Sequence, residues 1–241
     1  MRRLCLMALF APLAAFAAGS DVRLDRANID EHDVLSLQRG VRTFVNYCLN
    51  CHSASAMRYN RLTDLGLTEP QIKENLLFTA GKVGDLMSIS ASRTDQRKWF
   101  GVEPPDLSVI ARSRGTDWLY TYLRTFYRDD KRPSGWNNLA FPNVGMPHAL
   151  WQLQGSQVLK VEVEERGGHK VEHRTLVLDM PGSLTKLEYD NLTRDLVNFL
   201  SYMGEPDKTT RSQIGVVVLL FLLLMLVPAW LLKREYWKDV H

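Results

Sequence analysis

The stretch Cys48-Leu49-Asn50-Cys51-His52 decides how this chain is read. It is C-x-x-C-H, the pattern of covalent haem c attachment. Two thiols add to the two vinyl groups of one porphyrin, and two intervening residues set their separation. The next residue, His52, is then carried beneath the iron as proximal ligand. With 3 Cys and 6 His in 241 residues, chance would produce the pattern in about one chain per thousand of this composition. A thioredoxin-like redox pair would want a βαβ context, and none is visible around Cys48. A zinc site would need a fourth ligand and typically a second cysteine pair. A structural disulfide is a further use of two cysteines outside the cytoplasm.

Position 52 leaves a sixth iron site to fill. The candidates are methionines 57, 87, 146, 180 and 203 and histidines 32, 148, 169 and 173. Met57 lies five residues from His52, too near in the chain to reach the opposite haem face easily. Met203 ends a predicted helix. Met146 sits in Phe141-Pro142-Asn143-Val144-Gly145-Met146-Pro147, a loop stiffened by two prolines and opened by Gly145. Such a loop can hold a ligand over the iron without helix geometry. A gap-filling core methionine is the commoner fate of this residue type, and His148 is the next candidate. His/Met ligation raises the reduction potential and occupies both axial sites, which suits electron transfer rather than oxygen or peroxide chemistry.

The chain ends set the compartment. Met1-Arg2-Arg3 precedes an apolar run from Leu4 to Ala18 that closes on Ala15-Phe16-Ala17. A charged start, a short apolar stretch and small exit residues predict a secretory signal over 1–17. Its removal takes Cys5 away and leaves Cys48 and Cys51 as the only cysteines. Ile214 to Leu232 is uncharged over 19 residues, about 28 Å as a helix, close to the hydrocarbon thickness of a bilayer. Trp230, Tyr236 and Trp237 fit an interfacial belt, and Lys233, Arg234 and Lys238 follow. The positive-inside rule puts the tail, 233–241, in the cytoplasm and residues 18–213 outside. The formal charge is +3. Without the signal and the tail, 25 basic residues face 25 acidic ones. That balance is too neutral for a nucleic-acid binder driven by phosphate contacts. The remaining domain, about 196 residues, is long enough for one well-buried core.

Apolar periodicity predicts a helix from Val34 to Tyr47, capped by Asp33 and running directly into the motif. A second helix opens at Thr68-Glu69-Pro70-Gln71 and runs to about Thr79. Residues 80–103 read as loop. Pro104-Pro105-Asp106-Leu107-Ser108 stiffens the chain ahead of another helix, and Trp118 to Phe126 continues helically. Residues 128–147 read as one long loop. Val158–Val163 and Val171–Leu178 alternate about Arg166-Gly167-Gly168-His169, which predicts a β-hairpin. Leu184 to Met203 is the last helix before a polar linker, 204–213.

Together these features resemble the cytochrome c1 family, the haem subunit of bc1 complexes, in its bacterial form. Four segments carry the likeness. They are Cys48–His52 after a helix, Pro104-Pro105-Asp106-Leu107-Ser108 with Ile110-Ala111-Arg112-Ser113-Arg114 behind it, the methionine loop Phe141–Pro147, and Glu205-Pro206 before a single C-terminal span. The resemblance implies a mainly α fold: a class I cytochrome c-like haem domain with loop and hairpin insertions, plus one transmembrane helix. It implies one haem c attached through Cys48 and Cys51, with His52 and Met146 as axial ligands. Pro104 or Pro105 matches the proline whose carbonyl receives the histidine ring N–H, with Pro105 taken as the site residue. Arg112 matches the arginine that pairs with a haem propionate, a task suited to the planar guanidinium fork. Helices 34–47 and 184–203 would cross with Gly40 and Phe199 at the contact. The role implied is electron relay, with no catalysis by the subunit itself, from a Rieske iron–sulfur protein to a soluble or membrane-tethered cytochrome c. The setting implied is a dimeric quinol–cytochrome c oxidoreductase, beside cytochrome b and lipid in the bacterial inner membrane, with the haem domain in the periplasm. A cytochrome of another chain, such as a terminal oxidase, and a haem peroxidase are the alternatives. The chain departs from the family at Trp99-Phe100-Gly101, where some members carry small polar residues.

Overall fold

The structure is a computed structural model and describes residues 22–166 and 169–238. The predicted signal over 1–17, the predicted turn residues Gly167 and Gly168, and residues 239–241 lie outside these.

The domain is organised by one helix crossing. Helix α1 (Val34–Thr43) is capped by the Asp33 carboxylate, which accepts from Ser36 N at 3.0 Å. Helix α7 (Lys186–Gly204) opens on a capping box in which Thr185 and Glu188 each accept from the other's backbone. The two pack through Leu37, Val41, Leu196 and Phe199, all at most 2% exposed. Gly40 makes the close approach possible: a Cβ there would sit 2.7 Å from Phe199 Cβ and nearer still to the Asp195 carbonyl. The crossing is pinned at its side by buried Asp195, whose carboxylate accepts from Ser36 Oγ at 2.7 Å and Arg39 Nε at 2.5 Å.

The helix predicted over 34–47 is α-helical only to Thr43. Phe44–Cys48 widens into a π-turn, and Leu49 N still donates to Phe44 O at 3.0 Å. Apolar spacing does not distinguish the two helix types, since a π-turn adds one residue without changing the buried face much. Such turns recur at functional sites, and this one delivers the cysteine motif. Beyond the motif come β1 (Ala54–Arg58), a 3₁₀ segment (Tyr59–Leu65) and α2 (Glu69–Asn75). The helix opens where predicted, with Thr68 capping α2 in a box with Gln71, but it stops earlier than Thr79.

Residues 80–103 are not all loop. They contain β2 (Leu86–Met87), antiparallel to β1, and α3 (Arg93–Phe100). Helix α3 buries only Gln96, so it has no apolar stripe to read; Ser92 capping Asp95 N is its sequence signal. Helices α4 (Ile110–Arg114) and α5 (Thr116–Arg124) follow, and the chain turns extended at β3 (Phe126–Arg128) rather than staying helical to Phe126. Strand β4 (Trp136–Asn138) pairs antiparallel with β3 inside the segment read as one long loop. Three-residue strands fall below the reach of alternation patterns.

After the short α6 (Trp151–Gln154), β5 (Gly155–Arg166) and β6 (His169–Pro181) form the expected hairpin, longer at both ends than the alternation indicated. Finally α8 (Lys208–Tyr236) starts earlier than the predicted span. The break before it is confined to Glu205-Pro206-Asp207, because a proline disfavours helical backbone at the residue before it. Residues 208–213 are polar but not helix-breaking, so they join the helix. Thr210–Tyr236 is long and apolar enough to cross a membrane, and none of its apolar window is buried against the domain. Arg61 reaches Asp207 and Lys208 reaches Glu31, both at 3.1 Å, so ion pairs tie the start of α8 to the domain.

Candidate haem site

Between the α1–α7 crossing and the methionine loop lies a cavity of about 400 Å³, lined by Cys48, Cys51, His52, Pro105, Arg114, Tyr122 and Met146 among others. That volume falls within the range of about 300–1,000 Å³ typical of small-molecule and cofactor pockets. Most of the remaining lining is apolar, including Leu107, Ile110, Leu119, Val144, Leu196 and Leu200. Five of the six sequence-predicted residues meet here: Cys48, Cys51, His52, Pro105 and Met146.

The cysteine side is built almost entirely from two short segments. Neither cysteine is in a disulfide. Burial, then the neighbouring Cys51, pushes the Cys48 thiol up to about 12, and burial also raises Cys51. His52 is 8% exposed, and its Nδ1 lies 2.7 Å from Pro105 O. A carbonyl accepts only, so this ring nitrogen carries the proton and Nε2 keeps its lone pair for a metal. Burial lowers the pKa of the imidazole, and the bond to Pro105 only partly offsets this. Pro105 is held in turn by its own neighbours. Leu107 N donates to Ser53 O at 2.8 Å. Ser55 N and Oγ both donate to Asp106, and Ala56 N donates to Ser108 Oγ. The proline segment is therefore stitched alongside residues 53–56, directly after the motif.

The methionine side is assembled from distant parts. Asn138, fully buried, donates to Tyr122 O at 2.7 Å and accepts from Ala140 N and Phe141 N. Asn137 Oδ1 accepts from Asn143 N at 2.8 Å, and Arg132 grips Asn143 through Oδ1 and O. Gly145 lets the loop come down on Val102; a Cβ would meet the Val102 methyl at 2.9 Å. Met146 Sδ accepts from Tyr122 Oη at 3.3 Å. Burial raises the Tyr122 phenol well above its usual range, so it stays a donor.

The other axial candidates are placed elsewhere among the described residues. Met57, Met87 and Met203 are core side chains, His32, Met180 and His173 are exposed, and His169 is not described at side-chain level. His148 is buried but outside the cavity lining: its Nε2 is 2.7 Å from Gln154 Oε1 and its ring stacks on Phe126. Burial drops its pKa to about 4. Arg112 does not line the cavity. Its stem lies over Gly204, where a Cβ would be 3.3 Å from Arg112 Cγ. Arg114, two residues on, does line it and lies over the rings of Trp118 and Phe141. Tyr122, Asn137 and Asn138 belong to no sequence motif, and Arg114 closes the Ile110–Arg114 segment in which the resemblance singled out Arg112 instead. Only the adjacent asparagines at 137 and 138, placed in an otherwise irregular stretch, hinted at a built turn.

The donor set fits a haem of the c type. It offers two free thiols, an imidazole with Nε2 available, a thioether and an apolar enclosure. Among the described residues no cluster of three or more His, Cys, Asp or Glu side chains offers an alternative metal site.

A sequence model of the Cytochrome C1 family matches residues 25–86 and 178–240. The chain is 50% identical over 244 residues to Cytochrome c1 of Allochromatium vinosum, covering 100% of both chains. It is 52% identical over 238 residues to a Nitrosomonas europaea protein named Ammonia monooxygenase gamma subunit, covering 99% of this chain and 97% of that one. It is 27% identical to Cytochrome c1 of Rhodospirillum rubrum over 87% of this chain and 83% of that one.

Proposed function

The chain belongs to the cytochrome c1 family of electron-transfer haem proteins, and from that premise we propose that it relays single electrons from a Rieske iron–sulfur protein to a cytochrome c. The observation that carries this reading is the convergence of Cys48, Cys51, His52 and Met146 on one apolar cavity. Haem c supplies reversible one-electron iron chemistry when bound. The chain does the rest. Cys48 and Cys51 tether the group, and His52 presents Nε2 because Pro105 O holds the proton on Nδ1. Met146 would hold the iron through its sulfur, from a loop fixed at Asn143. The mostly apolar lining would keep water from the group, and His52 and Met146 together would leave the iron no open site for oxygen or peroxide. Arg112 is the propionate partner that the family resemblance assigns, and Arg114 is the guanidinium within the cavity. Replacing each separately by leucine separates their roles.

In this reading residues 1–17 are a signal peptide, 18–213 the periplasmic haem domain, 214–232 the membrane span and 233–241 a cytoplasmic tail. The basic residues after the span support that orientation. Cytochrome b and the Rieske protein are the partners in a dimeric bc1 complex of the bacterial inner membrane. A second reading follows from the Nitrosomonas europaea relative: membership of an ammonia monooxygenase. Detergent solubilisation and purification of the native assembly decides between them. Co-isolation with a b-type haem subunit and an iron–sulfur protein, with quinol–cytochrome c activity, supports the first. Isolation with ammonia-oxidising activity and no b-type haem overturns it.

A further inference from the structure

Among the described residues Tyr122 is the one side chain hydrogen-bonded to the Met146 sulfur. Its hydroxyl donates to Sδ at 3.3 Å and has no other hydrogen-bond partner among the described residues. The ring cannot swing away easily. Trp118 stacks on it at 4.9 Å with 10° between the planes, and Phe126 meets it edge-on at 5.0 Å. The backbone of Tyr122 is tied to the same loop, since its carbonyl accepts from Asn138 Nδ2. Phenol and thioether are thus both held in register by the fold, which is the positioning a tuned site needs.

A thioether sulfur is a weak acceptor, but in a water-poor cavity a hydrogen bond is electrostatically stronger than in water. Sulfur has two lone pairs. One accepts the Tyr122 proton, and the second remains for a metal. A donor on the first pair withdraws electron density from the second. Ferric iron depends on that density more than ferrous iron does. The geometry points to Tyr122 as a potential-setting residue: its hydroxyl, by polarising the Met146 sulfur, favours the reduced haem and raises the reduction potential. This inference rests on Met146 being the axial ligand.

The test uses the full-length, haem-loaded protein in detergent. Met146→Leu comes first. Loss of the red sulfur-to-iron charge-transfer band of the ferric protein supports the ligand reading. Retention of that band overturns the reading, and the role of Tyr122 with it. Tyr122→Phe keeps the ring and its Trp118 stack and removes only the donor. It should keep the band and the melting temperature. At fixed poise it should shift the oxidised-to-reduced ratio about fourfold toward the oxidised form, or about 36 mV at 59 mV per tenfold for one electron. An unchanged or raised potential with the band intact overturns the proposal while leaving Met146 as ligand. Site-specific 3-fluorotyrosine at 122 is a stronger donor of similar size and should move the potential the other way. If the phenylalanine variant does not load haem, this analogue decides alone: an unshifted or lowered potential overturns the proposal.

Discussion

The two walls of the haem cavity are made in opposite ways. The cysteine wall is local: a π-turn, five consecutive residues and a proline segment hydrogen-bonded to the four residues after them. The methionine wall draws on α5, β4, Arg132 and a loop, elements joined by side-chain amides rather than by any contiguous pattern. The cysteine wall has to be correct before a covalent bond can form, so its reactive groups sit at fixed chain spacing. The methionine wall has to hold one sulfur in place, and any scaffold that fixes the loop would do. The comparison predicts that damage to the first removes the cofactor, whereas damage to the second leaves it attached and loosens only the axial bond.

The largest expected effect comes from Cys48→Ala together with Cys51→Ala. Haem staining on a denaturing gel should vanish, and staining that persists would refute thioether attachment. Next is Gly40→Ala at the crossing that underlies both walls. The added methyl meets the Asp195 carbonyl and Phe199 with no flexible neighbour to give way. Overpacking of this kind costs about 3 kcal/mol, readable as a lowered denaturation midpoint; an unchanged midpoint would show that α1 and α7 can slide apart.

A smaller and more selective effect is expected at Asn138. Asn138→Ala removes one donated and three accepted bonds from a buried position, a loss of about 2 kcal/mol. The sulfur-to-iron band should weaken at a lower temperature while gel staining stays complete. Equal loss of both would erase the distinction between the walls. The smallest effect is electrostatic. Burial works to raise the Asp106 carboxyl, but hydrogen bonds from Ser108 and Ser55 outweigh it and hold the group below its ordinary value. A carboxyl depressed in the folded state stabilises above its unfolded pKa, and that contribution is lost as pH falls through the folded pKa. The melting-temperature gap between wild type and Asp106→Asn should therefore be constant near neutrality. It should close below about pH 3.9, the unperturbed carboxylate value. A gap that persists in acid would assign the Asp106 contacts a packing role instead.

Legibility in the sequence followed the same division. The motif, the Pro105 segment, the cap at Asp33, the helix start at Thr68, the C-terminal span and the hairpin could all be read, because each is a short-range pattern with a local physical cause. Helix α3 could not, since a helix that buries one glutamine has no apolar period. Strands β3 and β4 were too short to alternate. The resemblance brought Gly40 and Phe199 to the helix crossing, and the structure shows why that glycine has no room for a side chain. Tyr122 could not be read, and Arg114 was passed over for Arg112, because a tyrosine or arginine on a partly exposed helix is ordinary; only the cavity beside α4 and α5 makes them unusual.

The order of residues along the chain was enough to indicate the cofactor, the two thiols proposed to hold it and a candidate membrane span, because thiol spacing, a histidine next door and an uncharged run of bilayer length are constraints on neighbours in sequence. Which sulfur faces the cavity, which hydroxyl touches that sulfur and which arginine enters the pocket were decided by packing. Those choices depend on where α5, β4 and the methionine loop come to rest against the α1–α7 crossing, and no short-range rule encodes a meeting between residues 122, 138 and 146.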